Sequence, residues 1–314
     1  MRKPIALVTR IDRSDELAWA ALLAKLLPES EILPFHAMDD EQRDAAEIAI
    51  VANPDPRDVA ALPNLAWIHS LWAGVERLVA ELGEAAPAIV RLEDPELGRV
   101  MAEAVLAWTY YLQRDMPAYR RQQHTATWRQ HAYRRPGDLT VGILGMGLLG
   151  KAAAGRLNGA GFRVSGWARS PQPVEGVDMM DGPDGLDRLL RTSDIVVSLL
   201  PLTHETRGLI DAGRLATMKA GAQLINFSRG QIIVDGDLLA ALDAGHIAHA
   251  VLDVFETEPL PPTSPYWQHD SVTVLPHISA PTDRNTAARI VADNIKHYYA
   301  TGSLPTAIDI RRGY

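Results

Sequence analysis

Three residues of complementary chemistry each follow an apolar run. Arg229 follows Gln223–Phe227, Glu258 follows Ala250–Asp253, and His277 follows Val272–Leu275. If these runs are strands of an open parallel sheet, a cation, a carboxylate and an imidazole emerge along its carboxyl edge, where such sheets bind ligands. The set suits reduction of a 2-keto acid. Arginine can grip a carboxylate with two parallel N–H donors and polarise the neighbouring carbonyl. Histidine titrates in the range needed to protonate a developing alkoxide. The carboxylate can orient the imidazole and favour its charged form. Singly, each has a plainer reading, as a structural histidine, a helix-start arginine or a loop carboxylate. Their joint placement favours the catalytic one.

The reductant is suggested by Val141–Gly150, VGILGMGLLG. Gly145, Gly147 and Gly150 make a G-x-G-x-x-G loop between an apolar strand and an Ala-rich helix, Lys151–Leu157. That context fits a dinucleotide: a tight turn, a close backbone approach to the pyrophosphate, and a helix N-terminus facing it. The expected contacts run through Gly145, Met146, Gly147, Leu148, Leu149 and Gly150. The next strand, Arg163–Trp167, is followed by Ala168-Arg169-Ser170, and no acidic residue occurs before Glu175. A carboxylate at that strand end would hold the ribose 2′-hydroxyl of NAD. Arg169 and Ser170 suit a 2′-phosphate instead. NADP(H) is therefore the expected cofactor, with NAD(H) as the alternative. The plain alternative for Arg169 is a solvated loop arginine.

These loops need a scaffold of alternating strands and helices. In the first half, strands are expected at Ile5–Thr9, Glu31–Phe35, Ile48–Ala52, Ala66–Leu71 and Ile89–Leu92. A helix is expected over Ser14–Leu27, with Ser14 as N-cap and Leu17, Ala21 and Leu22 as apolar positions. A long helix is expected over Gly98–Asp115, ended by Pro117. Further strands are expected at Thr140–Leu144, Arg163–Trp167 and Ile195–Leu200, besides the three that precede Arg229, Glu258 and His277. A last helix, Arg284–Ala300, is stopped by Gly302. The pattern predicts an α/β protein of two doubly wound parallel-sheet domains. The nucleotide domain, 105–283, is inserted into a domain built from 1–104 and 284–314.

The 314 residues carry a net charge of -8 and no cysteine, which argues against a general nucleic-acid binder, disulfides and thiolate metal sites. The H-x-x-H spacing of His246 and His249 lacks a supporting ligand cluster, so no metal is expected. No apolar run is long enough to span a membrane. The opening MRKPIALVTR has no small-residue cleavage site, so the cytoplasm is the expected compartment. Six arginines between Arg114 and Arg135 face one acid, Asp115, and read as a solvated connecting arm. The functional alternatives are an anion-attracting rim or a subunit contact through Trp128 and Tyr133.

The segments GILGMGLLG, LINFSRGQIIVDGDLLAALDAG, LDVFETEPLPPTSPYWQHDSVTVLPHISA, LWAGVE, RLEDPELGRVMAEAVLAW and the terminal RRGY resemble the D-isomer-specific 2-hydroxyacid dehydrogenases. The resemblance covers nearly the whole chain. It implies a flavodoxin-like substrate domain, an inserted Rossmann domain and a homodimer. It carries the catalytic roles onto Arg229, Glu258 and His277. It implies that Trp72, Ala73 and Gly74 bind the substrate carboxylate through backbone N–H groups. Leu200, Pro201 and Thr206 would flank the nucleotide, Asp253 would meet its nicotinamide side, and Phe227, Ser228 and Ser279 complete the cofactor set. Two departures concern the pocket wall. Trp72 stands where a small residue is common, and Ala52-Asn53 where a Trp-His pair is frequent. Trp72 either narrows the pocket or packs into its own domain, and Ala52 could open room for a longer acid. The implied activity is NADPH-dependent reduction of glyoxylate or hydroxypyruvate to a D-2-hydroxy acid. The rivals are a reductase of a larger acid such as phenylpyruvate and a dinucleotide sensor without turnover.

Overall fold

A computed structural model describes residues 3–83 and 86–310 of the chain. The terminal RRGY segment, 311–314, lies outside the described residues. The chain forms two compact units, one from residues 1–96 and 282–314 and the other from 97–281.

The first unit holds five strands: β1 (Lys3–Thr9), β2 (Ser30–Pro34), β3 (Ile48–Ala52), β4 (Trp67–Ser70) and β5 (Ala88–Val90). All pair in parallel in the order β2-β1-β3-β4-β5. This is the flavodoxin-like order. The central strand β3, IAIVA, is buried at every position, as expected of a parallel strand covered on both faces. The first helix, Arg13–Leu26, starts after Asp12, with no side-chain cap. Ser14 therefore lies inside the helix rather than capping it. Its buried apolar side chains are Trp19 and Leu23, whereas Leu17 is half exposed. The last helix, Arg284–Thr301, is capped by Asp283, whose carboxylate accepts from the Asn285 and Thr286 amides, and ends at Gly302 in the left-handed region. Its Ala287, Ala288, Val291 and Ile295 are buried in the core containing β1 and β3 side chains.

The second unit holds seven parallel strands: β6 (Thr140–Leu144), β7 (Arg163–Trp167), β8 (Val177–Met180), β9 (Ile195–Ser198), β10 (Ala222–Asn226), β11 (Ile247–Leu252) and β12 (Val272–Val274). Their order is β12-β11-β10-β9-β6-β7-β8. The direction of winding reverses between β6 and β9, which creates the switch point where open α/β sheets bind ligands. The edge strand β8, VDMM, escapes sequence reading because it is short and carries Asp178. The long helix runs Pro95–Gln113, and Pro117 begins rather than ends a helix, Met116–His124. Proline is well suited to a first turn, where its missing N–H is no loss. Part of the arginine-rich arm is thus helical.

Two buried histidines stay neutral by burial. His69 on β4 donates from Nδ1 to the Ser70 carbonyl at 2.9 Å and accepts from Asn294 Nδ2 at 2.9 Å. Burial pushes it down to about 4. His249 on β11 bonds Thr273 Oγ1 through Nε2 at 2.8 Å. Burial, with the nearby charges of Arg121 and His269, likewise pushes it down to about 4. In the unfolded chain each ring takes a proton below about pH 6.5, while the folded rings refuse it until about pH 4. Stability is therefore complete above that window and falls through it as pH drops. Urea unfolding is expected to show a loss of about 2 kcal/mol per histidine between pH 7 and pH 5. His69→Leu should flatten the slope by its own share; an unchanged slope would refute the assignment.

Candidate active site

The second unit's site begins at the glycine loop after β6. Gly145 adopts φ +99°, and a Cβ there would lie 2.8 Å from the Leu199 carbonyl oxygen. The end of β9 thus presses directly on the turn. A Cβ on Gly150 would meet the Gly145 oxygen at 2.0 Å, so the helix Leu148–Gly159 packs tightly back onto the loop. Gly147 is different: a Cβ there would meet nothing within 4 Å. It faces open space at a helix start that has no side-chain cap. That is the opening a pyrophosphate requires, so the residues present fit a dinucleotide. Met146 is buried, whereas Leu148 is exposed.

Three loops at the strand ends build the polar cluster. After β10, the Asn226 side chain accepts from the Ser228 amide and hydroxyl and donates to the Arg229 carbonyl at 3.1 Å. Ser228 Oγ also pairs with Ser198 Oγ at 2.8 Å, which ties the turn to β9. A Cβ on Gly230 would lie 2.0 Å from the Phe255 carbonyl carbon. The Arg229 turn therefore rests on the backbone of the loop that leads to Glu258. After β12, the Ile278 and Ser279 amides donate to buried Asp253, just past the end of β11, at 2.7 and 2.8 Å. This carboxylate fixes the segment on which His277 sits. His277 itself takes a left-handed backbone, φ 54°.

His277 Nδ1 and Glu258 Oε2 are 2.8 Å apart. Glu258 Oε1 accepts from the Phe255 amide at 2.9 Å. The carboxylate is thus braced from both sides and sets the ring's orientation, leaving Nε2 as the other proton-carrying atom. The hydrogen bond to Glu258 raises the His277 pKa despite partial burial and the opposing Arg229 charge. Partial burial pushes the Glu258 carboxyl up, but the His277 bond, the Phe255 amide and the positive charges of His277 and Arg229 outweigh it, and the net shift is down. The His277 side chain remains 52% exposed, so a ligand can reach it. The arrangement can bind an anion, polarise a carbonyl and deliver a proton.

Residues 106–279 match the family model described as D-isomer specific 2-hydroxyacid dehydrogenase, NAD binding domain. The chain is 35% identical over 303 residues to a glyoxylate/hydroxypyruvate reductase A from Serratia proteamaculans, covering 94% of this chain and 96% of the relative. The chain belongs to the D-isomer specific 2-hydroxyacid dehydrogenase family. Among solved structures of relatives, a family member from Xanthobacter autotrophicus Py2 in complex with NADPH and MES superposes with a TM-score of 0.91, at 37% identity and full coverage of both chains. The NADPH-dependent glyoxylate/hydroxypyruvate reductase of Sinorhizobium meliloti, in complex with NADP and sulfate, gives a TM-score of 0.88 at 32% identity, covering 99% of this chain and 100% of the other.

For this dehydrogenase, the residues anticipated in the second unit fall into distinct situations. Phe227 and Ser228 are buried beneath the Arg229 turn. The Thr206 hydroxyl donates to the Pro201 carbonyl at 2.7 Å and accepts from the Thr203 amide at 2.8 Å, so it braces the loop after β9. Leu200 is buried and Pro201 half-buried. Ser279 is buried with a hydroxyl that has no partner among the described residues. Arg169 and Ser170 stand exposed after β7, and Arg169 forms an ion pair with Glu205 at 2.9 Å. His246 and His249 bond separate partners, Leu215 and Thr273, and no metal-binding cluster occurs among the described residues.

Within the first unit, Trp72 both packs and borders a cavity. Its ring stands edge-on to Trp19 at 6.4 Å, and it lines a small cavity with Asn53, Ser70, Gly74 and Arg77. Its amide donates to Ser70 Oγ at 3.0 Å, which leaves the Ala73 and Gly74 amides as the candidates for a ligand. Ala52 is wholly buried in the core and lines no such cavity; Asn53, at φ 50°, is the residue that reaches it. Sequence reasoning missed Asn226, Asp253 as a loop brace, and Glu205.

Gly230→Ala forces a methyl into the Phe255–Glu256 backbone. It is expected to destabilise the second unit by roughly 1–3 kcal/mol and to lower kcat/KM at least about tenfold by separating Arg229 from Glu258 and His277. Thermal unfolding and steady-state rates check both; wild-type values in either would refute the contact's role.

Proposed function

We propose that the chain is an NADPH-dependent reductase of small 2-keto acids, glyoxylate and hydroxypyruvate first, yielding D-2-hydroxy acids. The observation that carries this reading is the Glu258-braced His277 beside Arg229, on the same sheet edge as the glycine loop. The relatives with NADPH or NADP bound and the name of the Serratia relative support it.

The proposed division of labour follows from the side chains. Arg229 binds the substrate carboxylate and draws electron density from its carbonyl. Bound NADPH supplies the hydride that adds to the carbonyl carbon. His277 gives its proton to the carbonyl oxygen as negative charge develops there, and Glu258 stabilises the charged ring beforehand. Gly145–Gly150 offers its amides to the pyrophosphate, and Arg169 with Ser170 takes the 2′-phosphate. Ser279 and Asp253 lie at the nicotinamide end, and the Leu200–Pro201 and Thr206 loop flanks the nucleotide. The Ala73 and Gly74 amides serve the substrate carboxylate. Residues 105–283 act as the nucleotide domain, with the substrate domain from 1–104 and 284–314. We assign the working form as a cytoplasmic homodimer. Exposed Trp128 and Tyr133 on the arginine-rich arm support a subunit contact.

Initial rates with NADPH and NADH against glyoxylate, hydroxypyruvate, pyruvate and phenylpyruvate test the proposal. Fast turnover of the first two with NADPH is expected. Preference for phenylpyruvate would indicate a larger substrate, and tight NADPH binding with no turnover would indicate a sensor. His277→Ala should lower kcat by about 10²–10⁴-fold while leaving NADPH binding nearly intact.

The pH profile gives an independent check. Reduction requires protonated His277, whose pKa is raised chiefly by Glu258. kcat/KM for reduction should be greatest at low pH and fall as pH rises through that raised pKa. In Glu258→Gln the fall should move to lower pH. A profile unmoved by this change would refute the coupling.

A further inference from the structure

The strand end after β7 lacks the carboxylate that would hold an NAD ribose, yet the fold returns one from elsewhere. Glu205 Oε2 lies 2.9 Å from Arg169 Nη1, across 36 residues of sequence. The turn that carries it is well braced. The Thr206 hydroxyl donates to the Pro201 carbonyl, the Thr203 amide donates to Thr206 Oγ1, and the Arg207 amide donates to the Thr203 carbonyl at 3.0 Å. Glu205 therefore meets Arg169 from a fixed loop beside the switch point, not from a wandering tail. Both side chains are solvent-accessible, 52% for Arg169 and 69% for Glu205.

We propose that Glu205 is a specificity-determining residue that restrains the preference for NADP(H) and admits NAD(H) to the same site. The inference rests on the reading of Arg169 as the partner of the 2′-phosphate. A phosphate arriving at Arg169 must displace the carboxylate or share the guanidinium with it. In either case it meets a like charge at close range. An NAD ribose meets no such conflict. Its hydroxyls can donate to Glu205, and Arg169 keeps its counter-charge, so no unpaired cation faces the hydroxyl. The same pair thus acts in opposite directions on the two cofactors. Because both groups are exposed, the effect is modest and screened by salt.

Dissociation constants for NADPH and NADH, read from dinucleotide fluorescence at low salt, test the proposal in the wild type, E205Q, R169A and the double variant. The NADH-to-NADPH ratio of dissociation constants is expected to rise about two- to five-fold in E205Q. It should fall sharply in R169A, and in the R169A background E205Q should raise it by less than in the wild type, because the competition for the guanidinium is gone while the carboxylate's own repulsion of the phosphate remains. A ratio unchanged or lowered in E205Q overturns the role of Glu205 while leaving the Arg169 reading intact, provided R169A still loses its preference. If R169A keeps the wild-type ratio, the 2′-phosphate reading fails and this inference fails with it.

Discussion

Nothing larger than hydrogen fits on the Cα of Gly230, because the backbone of Phe255 and Glu256 occupies the space a side chain would take. That close approach holds two strand-end loops against each other. One carries Arg229 and the other carries Glu258. The third element, His277, is then tied in by the bond to Glu258 and by the Asp253 carboxylate beneath its loop. The remaining fold can be read as the means of bringing three strands, β10, β11 and β12, into adjacent register so that this contact forms. Hydrophobic burial supplies the adhesion, but it is indifferent to which loop lies where. The backbone contact and the buried carboxylate decide that.

The electrostatics follow from the same arrangement. Arg229 opposes protonation of His277, and Glu258 favours it more strongly. A site that must hold an anionic substrate with a cation would ordinarily lose its acid, since a cation disfavours a second positive charge nearby. Glu258 resolves that conflict. Its own charge is secured by the Phe255 amide and by the ring it braces, so the carboxylate favours the charged imidazole that proton delivery requires beside the cation.

Much of this was legible in the sequence because the relevant signals are local. Arg229, Glu258 and His277 each sit a few residues beyond an apolar run, and parallel sheets present their strand ends together. The glycine loop was equally clear from its spacing: Gly150 answers to a contact within one strand–turn–helix unit, although Gly145 answers to the Leu199 backbone at the end of β9. What stayed hidden depends on distant pieces meeting. Glu205 reaches Arg169 from the loop after β9, and no spacing rule joins them. Asp253 reads as a cofactor contact from the sequence, yet its two oxygens are engaged by the amides of Ile278 and Ser279. Ser14 is a favoured capping residue, but the cap position falls two residues earlier, at Asp12. Pro117 announced a break without announcing that a new helix begins there. The strand β8 lacked the apolar run that marks its neighbours.

The backbone of His277 has one more implication. Its φ of 54° lies where side chains with a Cβ are disfavoured and glycine is at ease. The proposed proton donor occupies a position at which the fold, considered alone, would prefer another residue. Improvement of thermal endurance and retention of chemistry therefore pull against each other at this one site. A lineage released from the need to turn over substrate could relieve this backbone by replacing the histidine, at the loss of the bond to Glu258 that ties its loop in. The loss of activity would then precede any visible decay of the fold, leaving a well-formed dinucleotide-binding scaffold without its acid.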